Sequence, residues 1–385
     1  MSDRMIYLDH AASSWPKPPE VVSAVVDAIE HHGANPGRGS HRMAIEASRI
    51  VFEARVELAA LLGIGNPMNI SFSMNTSEAL NLAIKGFLKQ NDHVICTSVE
   101  HNSVRRPLEY VKRTKNVSIT YVETDVAGRL NLAAVQNAFQ PNTKLLVCTH
   151  SSNLLGSINP LDALAELCKQ RGVKLLVDAA QTAGTYPLDA EKLGIDMLAF
   201  PGHKGLLGPQ GTGGLYVHPE IELEPLIHGG TGSQSETVEQ PTVRPDRYEA
   251  GTQNVPGIVG LRAGARYVKQ VGSAAIHRHE WELTQRLMEG LLGIEGATVL
   301  GPEIGHNRTG IVSFLLQGRE SAEVAHILDR QFHIAVRAGH HCAPLAHQSA
   351  GTLNSGAVRA SVGYSSTPEE IDALLEAVRF IRKAP

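Results

Sequence analysis

Between residues 69 and 217, short apolar runs alternate with helical segments. The runs are NISFS, HVICTS, SITYV, KLLVCT, KLLVDA, DMLAF and GGLYV; segments such as SEALNLAIKGFL, LAAVQNAF and LDALAELCKQRG lie between most of them. A strand that is apolar along its whole length must be covered on both faces. Connections long enough to hold a helix join strands that run the same way. The pattern predicts an α/β chain with a large domain over residues 16–268, its mostly parallel sheet covered by helices. An amphipathic helix marked by Val21, Val22, Val25, Val26 and Ile29 opens that domain, and a second runs from Ala44 to Leu62.

After Pro256 the texture changes. One long helical stretch, Ile258 to Gly290, leads into TVLGP, GIVSFLL and HIAVRAG, with SAEVAHILDRQF between the last two. VRASVG and a closing helix from Pro368 finish the chain. This predicts a smaller α+β C-terminal domain over residues 269–385, with residues 1–15 packing nearby. A chain of 385 residues with 42% hydrophobic content can bury both cores.

A formal charge of −4, with no basic tail or stripe, points away from nucleic acid. No apolar run approaches the ~20 residues of a membrane helix, and MSDRMIYLDH has no signal-peptide core, so a cytoplasmic protein is expected. Cys96, Cys148 and Cys168 sit in apolar or helical patterns and read as core packing. Four cysteines without Cys-x-x-Cys spacing fit a reducing compartment. Cys342, in GHHCAP, stands apart.

Ligands of open α/β sheets bind beyond the carboxyl ends of the strands. After NISFS, Asn75 and Glu78 have capping-box spacing, which sets Thr76 and Ser77 at a helix N-terminus suited to phosphate, or to an ordinary cap. His101 follows the next run, Asn153 another, Asp178 ends KLLVD with Gln181 three residues on, and His203 and Lys204 follow DMLAFPG. Each is weak alone. Together they set a phosphate cradle, an imidazole, amides, a carboxylate and an amine on one rim. Pyridoxal 5'-phosphate asks for that set: a lysine for its imine, a carboxylate to keep the pyridine nitrogen protonated, and a flat group over the ring. GLLGPQGTG lacks the Gly-Lys-Ser/Thr of a phosphate-loop NTPase, and no Gly-x-Gly-x-x-Gly joins a strand to a helix here.

Arg337 precedes Cys342 and Arg359 follows it. Arginine grips a carboxylate with two parallel bonds, so either could hold an amino-acid substrate, or form a surface salt bridge. A metal site from His340, His341 and Cys342 is disfavoured, because adjacent residues seldom converge on one ion.

At this point the chain resembles the cysteine desulfurases of the class V aminotransferase family, in the branch with an Arg-x-Gly-His-His-Cys motif that also contains selenocysteine lyases. The resemblance runs from YLDHAAS through ANPGRGSH, NTSEALN, EHNS, SSNLLG, VDAAQ, FPGHKG and YEAGTQN to RAGHHCAP and VRASVGYSS. It implies a fold-type I pyridoxal-phosphate transferase, homodimeric, that converts L-cysteine to L-alanine. By position, Lys204 resembles the Schiff-base lysine and Asp178 the pyridine partner. His101 would stack on the ring and take part in catalysis, and Asn153 and Gln181 would hold the ring oxygen and its surroundings. Thr76, Ser77 and His203 resemble phosphate ligands, joined by Thr252 from the neighbouring subunit. Arg359 would bind the substrate carboxylate, with Arg337 and Asn153 beside it. Cys342 would take the sulfur as a persulfide, its thiol made acidic by Arg337 and the histidines, and pass it to an acceptor protein in a route such as iron–sulfur cluster assembly.

Two departures stand out. Pro201 replaces the Ser or Thr usual two residues before the Gly-His-Lys histidine, and APLAHQSAGTLNSGAV after Cys342 differs from better-known members. Activity on L-selenocysteine, cysteine-sulfinate desulfination, another class V reaction, and a fold retained without catalysis are the competing readings.

Overall fold

The structure, a computed structural model, describes residues 5–37 and 39–383. Arg38 of ANPGRGSH and the two chain ends lie outside the described residues. The seven apolar runs form one seven-stranded sheet, in the order Ile70–Ser73, Gly213–Val217, Met197–Pro201, Lys174–Asp178, Thr143–Thr149, His93–Thr97, Ser118–Val122. Gly213–Val217 runs against both neighbours, while the other adjacent pairs are parallel. The reversal follows from the connection. The chain turns back through the glycine-rich segment after Pro201 with no crossover helix, and that return can only be antiparallel.

Alternate residues along the strands enter two different cores. Ile95, Leu146, Cys148, Leu175, Val177, Leu198 and Phe200 join one. Val94, Cys96, Leu145, Val147, Leu176, Met197 and Ala199 join the other. Two covered faces are what near-continuous apolar strands require.

The stretch expected as one helix from Ile258 to Gly290 is two, Val255–Val271 and Ser273–Leu292. Gly272 separates them with φ +88°, a conformation outside the helical range that glycine adopts without penalty. The second helix packs with Ser321–Phe332 and Pro368–Lys383 around a further core and an antiparallel four-stranded sheet. That sheet runs Arg337–Gly339, Ala357–Ser361, Ile311–Leu316, Ala297–Leu300. Ile6–Tyr7 pairs in parallel with Ile334–Ala335, and Asp9 bridges to Ser361. The N-terminal segment thus reaches the edge of the site. Val22, Val26 and Ile29 of the first helix, Pro19–His31, stay exposed, although its apolar pattern suggested burial. Among the described residues no helix is long and apolar enough to cross a membrane.

Candidate active site

The carboxyl ends of the sheet open into a cavity of about 230 Å³ lined by Thr76, Ser77, His101, Asn153, Asp178, Gln181, His203, Lys204, Arg337 and Arg359. Ten residues singled out from the sequence therefore meet in one place. Thr252 does not: it is exposed and is not among the lining residues. Cys342 lies just beyond, half-buried in an adjoining groove that also touches Ser77 and His101.

Lys204 follows the strand Met197–Pro201. Burial pulls its pKa down to about 8, and the positive charges of Arg359 and Arg337 add to the effect, against Asp178 and Asp9. A fraction of free amine is therefore present near neutral pH. Asp178, the last residue of its strand, is pushed up to about 6 by burial, opposed by the 2.9 Å bond that Ala180 N–H donates to Oδ1 and by Lys204. A cationic nitrogen placed against this carboxylate would restore its ionisation.

The helix Thr76–Phe87 opens with reciprocal caps. Glu78 N–H donates to Asn75 Oδ1 at 3.0 Å, and Met74 N–H donates to Glu78 Oε2 at 2.6 Å. The amides of Thr76 and Ser77 stay outside the helix's own ladder, so this end suits an anion. Ser77 Oγ lies 2.6 Å from Ser103 Oγ. Ser103 N–H also donates to His101 Nδ1 at 3.0 Å, which fixes that nitrogen as an acceptor. His101 is neutral, pushed down to about 4 by burial and by Lys204, so its proton sits on Nε2. The imidazole is the cap of the helix Asn102–Lys115, which holds its position at the cavity wall.

Arg359 is buried, with 1% exposure, so a surface salt bridge is ruled out. One guanidinium nitrogen donates to Asp9 Oδ1 at 2.7 Å and another to the Asn153 carbonyl at 3.0 Å. Its Nε, Asn153 Oδ1 and His203 Nδ1 are buried without a partner among the described residues. Unpaired polar atoms in one cavity wall ask for a polar ligand. The Asn153 amide nitrogen donates to the His341 carbonyl at 2.7 Å, and Gln181 Nε2 to the Ala11 carbonyl at 3.2 Å. Part of the amide capacity expected to face a ring oxygen is thus tied to the protein. Arg337 pairs with Arg359 across adjacent strands, and its guanidinium lies 3.7 Å from Cys342 Sγ.

Sequence reasoning missed Asp9, Ser14 and Lys17. Lys17 Nζ donates to Ser14 Oγ at 2.8 Å and to the His203 carbonyl at 2.9 Å, clamping the chain just before Lys204. The only signal was polar residues bunched in YLDHAASSWPK. Glu100 was missed too. It is 1% exposed and accepts from Thr97 Oγ1 at 2.5 Å and Thr149 N–H at 2.6 Å, while its second oxygen has no partner among the described residues. Burial pushes it up to about 8. Between about 4.5 and 8 the unfolded chain then binds fewer protons than the folded one, so stability falls as pH rises through that window. The expected cost at pH 9 is on the order of a few kcal/mol. Glu100→Gln removes the titration, so its melting temperature should gain on the wild type between pH 5 and pH 9. A constant difference would contradict the assignment.

The chain matches the family model described as aminotransferase class-V over residues 6–374. It is 36% identical over 383 residues to a probable cysteine desulfurase of Methanothermobacter thermautotrophicus, covering 98% of this chain and 94% of that one. A probable cysteine desulfurase of Pyrococcus abyssi is also 36% identical, with 97% and 94% covered. Among solved structures, the apo cysteine desulfurase of Thermococcus onnurineus NA1 superposes with a TM-score of 0.93 at 35% identity, covering 98% of this chain and 95% of that one. With the strand order, the lysine and aspartate at the strand ends and these matches in agreement, the chain belongs to the class V aminotransferase family.

Proposed function

We propose that the protein is a pyridoxal 5'-phosphate-dependent cysteine desulfurase that converts L-cysteine to L-alanine and keeps the sulfur on Cys342 as a persulfide. One observation carries this beyond a generic class V reaction: Arg337 lines the cavity that holds Lys204, Asp178 and Arg359, and also touches Cys342 Sγ. A transaminase needs no thiol there.

The residues fit the cofactor. The N-terminus at Thr76 and Ser77, with His203, suits its phosphate; Asp178 suits a protonated ring nitrogen, and Lys204 supplies the amine for its aldehyde. When bound, pyridoxal phosphate supplies an electron sink next to the substrate's α-carbon. Lys204, low in pKa and held by the Ser14–Lys17 clamp, is the base that takes and returns the proton at that carbon. Arg359, held by Asp9 and Asn153, binds the substrate carboxylate, which fixes the substrate sulfur relative to the Cys342 loop. The Cys342 thiolate attacks that sulfur, so an S–S bond forms as the C–S bond breaks, and the C–S electron pair stays with the substrate carbon, which takes a proton and leaves as L-alanine. His101, neutral and fixed as the cap of its helix, would stack on the ring.

We assign the active form as a homodimer in which Thr252 of the partner subunit reaches the phosphate. The persulfide then passes to an acceptor protein, for iron–sulfur cluster assembly or another sulfur-using route, in the cytoplasm. The experiment is to release the cofactor from purified protein with alkali and to titrate the holoenzyme with L-cysteine. Stoichiometric pyridoxal phosphate and a saturable change in its absorbance are expected. A protein that binds no pyridoxal phosphate would overturn the assignment.

A further inference from the structure

His347 stands in the segment between Cys342 and Arg359 and has no part in the chemistry described so far. It is fully buried, on the short helix Pro344–Ser349. Its neighbours assign the donors and acceptors of a small network. The carbonyl oxygen of Arg337 can only accept, so His341 Nε2, 3.3 Å away, carries a proton. His341 is neutral, because burial, helped by Arg359, pushes it down to about 3. Its Nδ1 is then a lone pair, and His347 Nε2, at 3.4 Å, donates to it. The two ring planes are 13° apart with centroids 5.7 Å from each other, which suits a contact from edge to edge. His347 is neutral in turn, pushed down to about 4 by burial and His340, so its Nδ1 accepts from the Thr352 hydroxyl at 2.7 Å. The chain of donors runs one way: Thr352 to His347, His347 to His341, and His341 to the Arg337 carbonyl.

That chain ends on the residue whose guanidinium touches Cys342 Sγ, and it braces an unusual turn. His341 and Cys342 have φ +49° and +57°, two successive left-handed residues that are not glycine. Such a turn persists only when its surroundings hold it. Three bonds hold its backbone: Asn153 Nδ2 to the His341 carbonyl and Asn102 N–H to the Cys342 carbonyl, each 2.7 Å, and Ala343 N–H to the His340 carbonyl at 2.9 Å. The His341 ring is a further anchor, and among the described residues His347 is the partner that holds its Nδ1 side.

We propose that His347, backed by Thr352, is a positioning residue that orients His341 and so keeps the Cys342 sulfur against Arg337, facing the substrate. The proposal rests on Cys342 as the sulfur acceptor and names the residues that aim it.

The test compares holoenzymes carrying His347→Leu, which removes both polar atoms at similar volume, and His347→Gln, which keeps an N–H for His341 Nδ1. His347→Leu should leave the L-cysteine-induced absorbance change and its concentration dependence unaltered, yet slow single-turnover persulfide formation on Cys342 at least tenfold. His347→Gln should restore most of the rate. Persulfide formation at the wild-type rate in His347→Leu, or an equal loss in both variants, would overturn the proposal. If His347→Leu fails to hold cofactor, Thr352→Val decides. A loss of at least threefold with the absorbance change intact supports the role, and an unchanged rate rejects it. Hydrogen exchange of the peptide 337–343 is measured alongside because it needs no turnover. It should rise at least fivefold in His347→Leu and not in His347→Gln, even if L-cysteine proves not to be a substrate. Unchanged exchange in His347→Leu would reject the brace, whereas raised exchange in His347→Leu together with a wild type that shows no desulfuration would reject only the substrate.

Discussion

Lys204→Ala should lose desulfuration by roughly 10²–10⁴-fold, the range for removing a positioned acid–base group, and should no longer hold the cofactor covalently. The reason is local. Among the described residues no other amine lines the cavity, whose remaining cationic groups are Arg337 and Arg359, and their guanidiniums stay protonated and cannot form an imine. Added amines should rescue part of the α-proton step because the cavity keeps its other walls. Turnover within a few-fold of wild type, with stoichiometric cofactor, would mean that Lys204 is not the base.

Asp178→Asn should cost a similar factor by a different route. The amide is nearly the same shape and can still accept from Ala180 N–H, so the fold and the cofactor content should survive. It cannot carry the negative charge that holds a proton on the ring nitrogen. The expected signature is retained cofactor, a similar concentration dependence for L-cysteine and a fall in kcat of roughly 10²–10⁴-fold. If kcat is unchanged and cofactor content falls instead, Asp178 only anchors the ligand.

The sheet was legible because its strands are apolar on both faces and punctuated by helices, and both signals are local. The rim was legible for the same reason. Once the strands run parallel, residues after their carboxyl ends must gather, and His101, Asn153, Asp178 and Lys204 do so. What could not be read depends on distant pairing. Asp9 reaches Arg359 through the alignment of the N-terminal strand with Ile334–Ala335, a contact across more than three hundred residues with no periodic signal. His347 reads as one polar residue in a short helix. Its meaning comes from a left-handed turn five residues earlier, and nothing in the chemistry of His341 or Cys342 advertises that turn. The break at Gly272 was misread because glycine within a helical pattern is often tolerated, and only the packing shows the chain changing direction there.

Cys342→Ala carries the central claim. Sulfide and alanine are measured from L-cysteine with a reductant, for the wild type and for Cys342→Ala, at matched pyridoxal phosphate content. Equal amounts of the two products from the wild type and neither from the variant are expected, with the persulfide found on Cys342. Alanine and sulfide released by Cys342→Ala at the wild-type rate would contradict a transfer through this thiol.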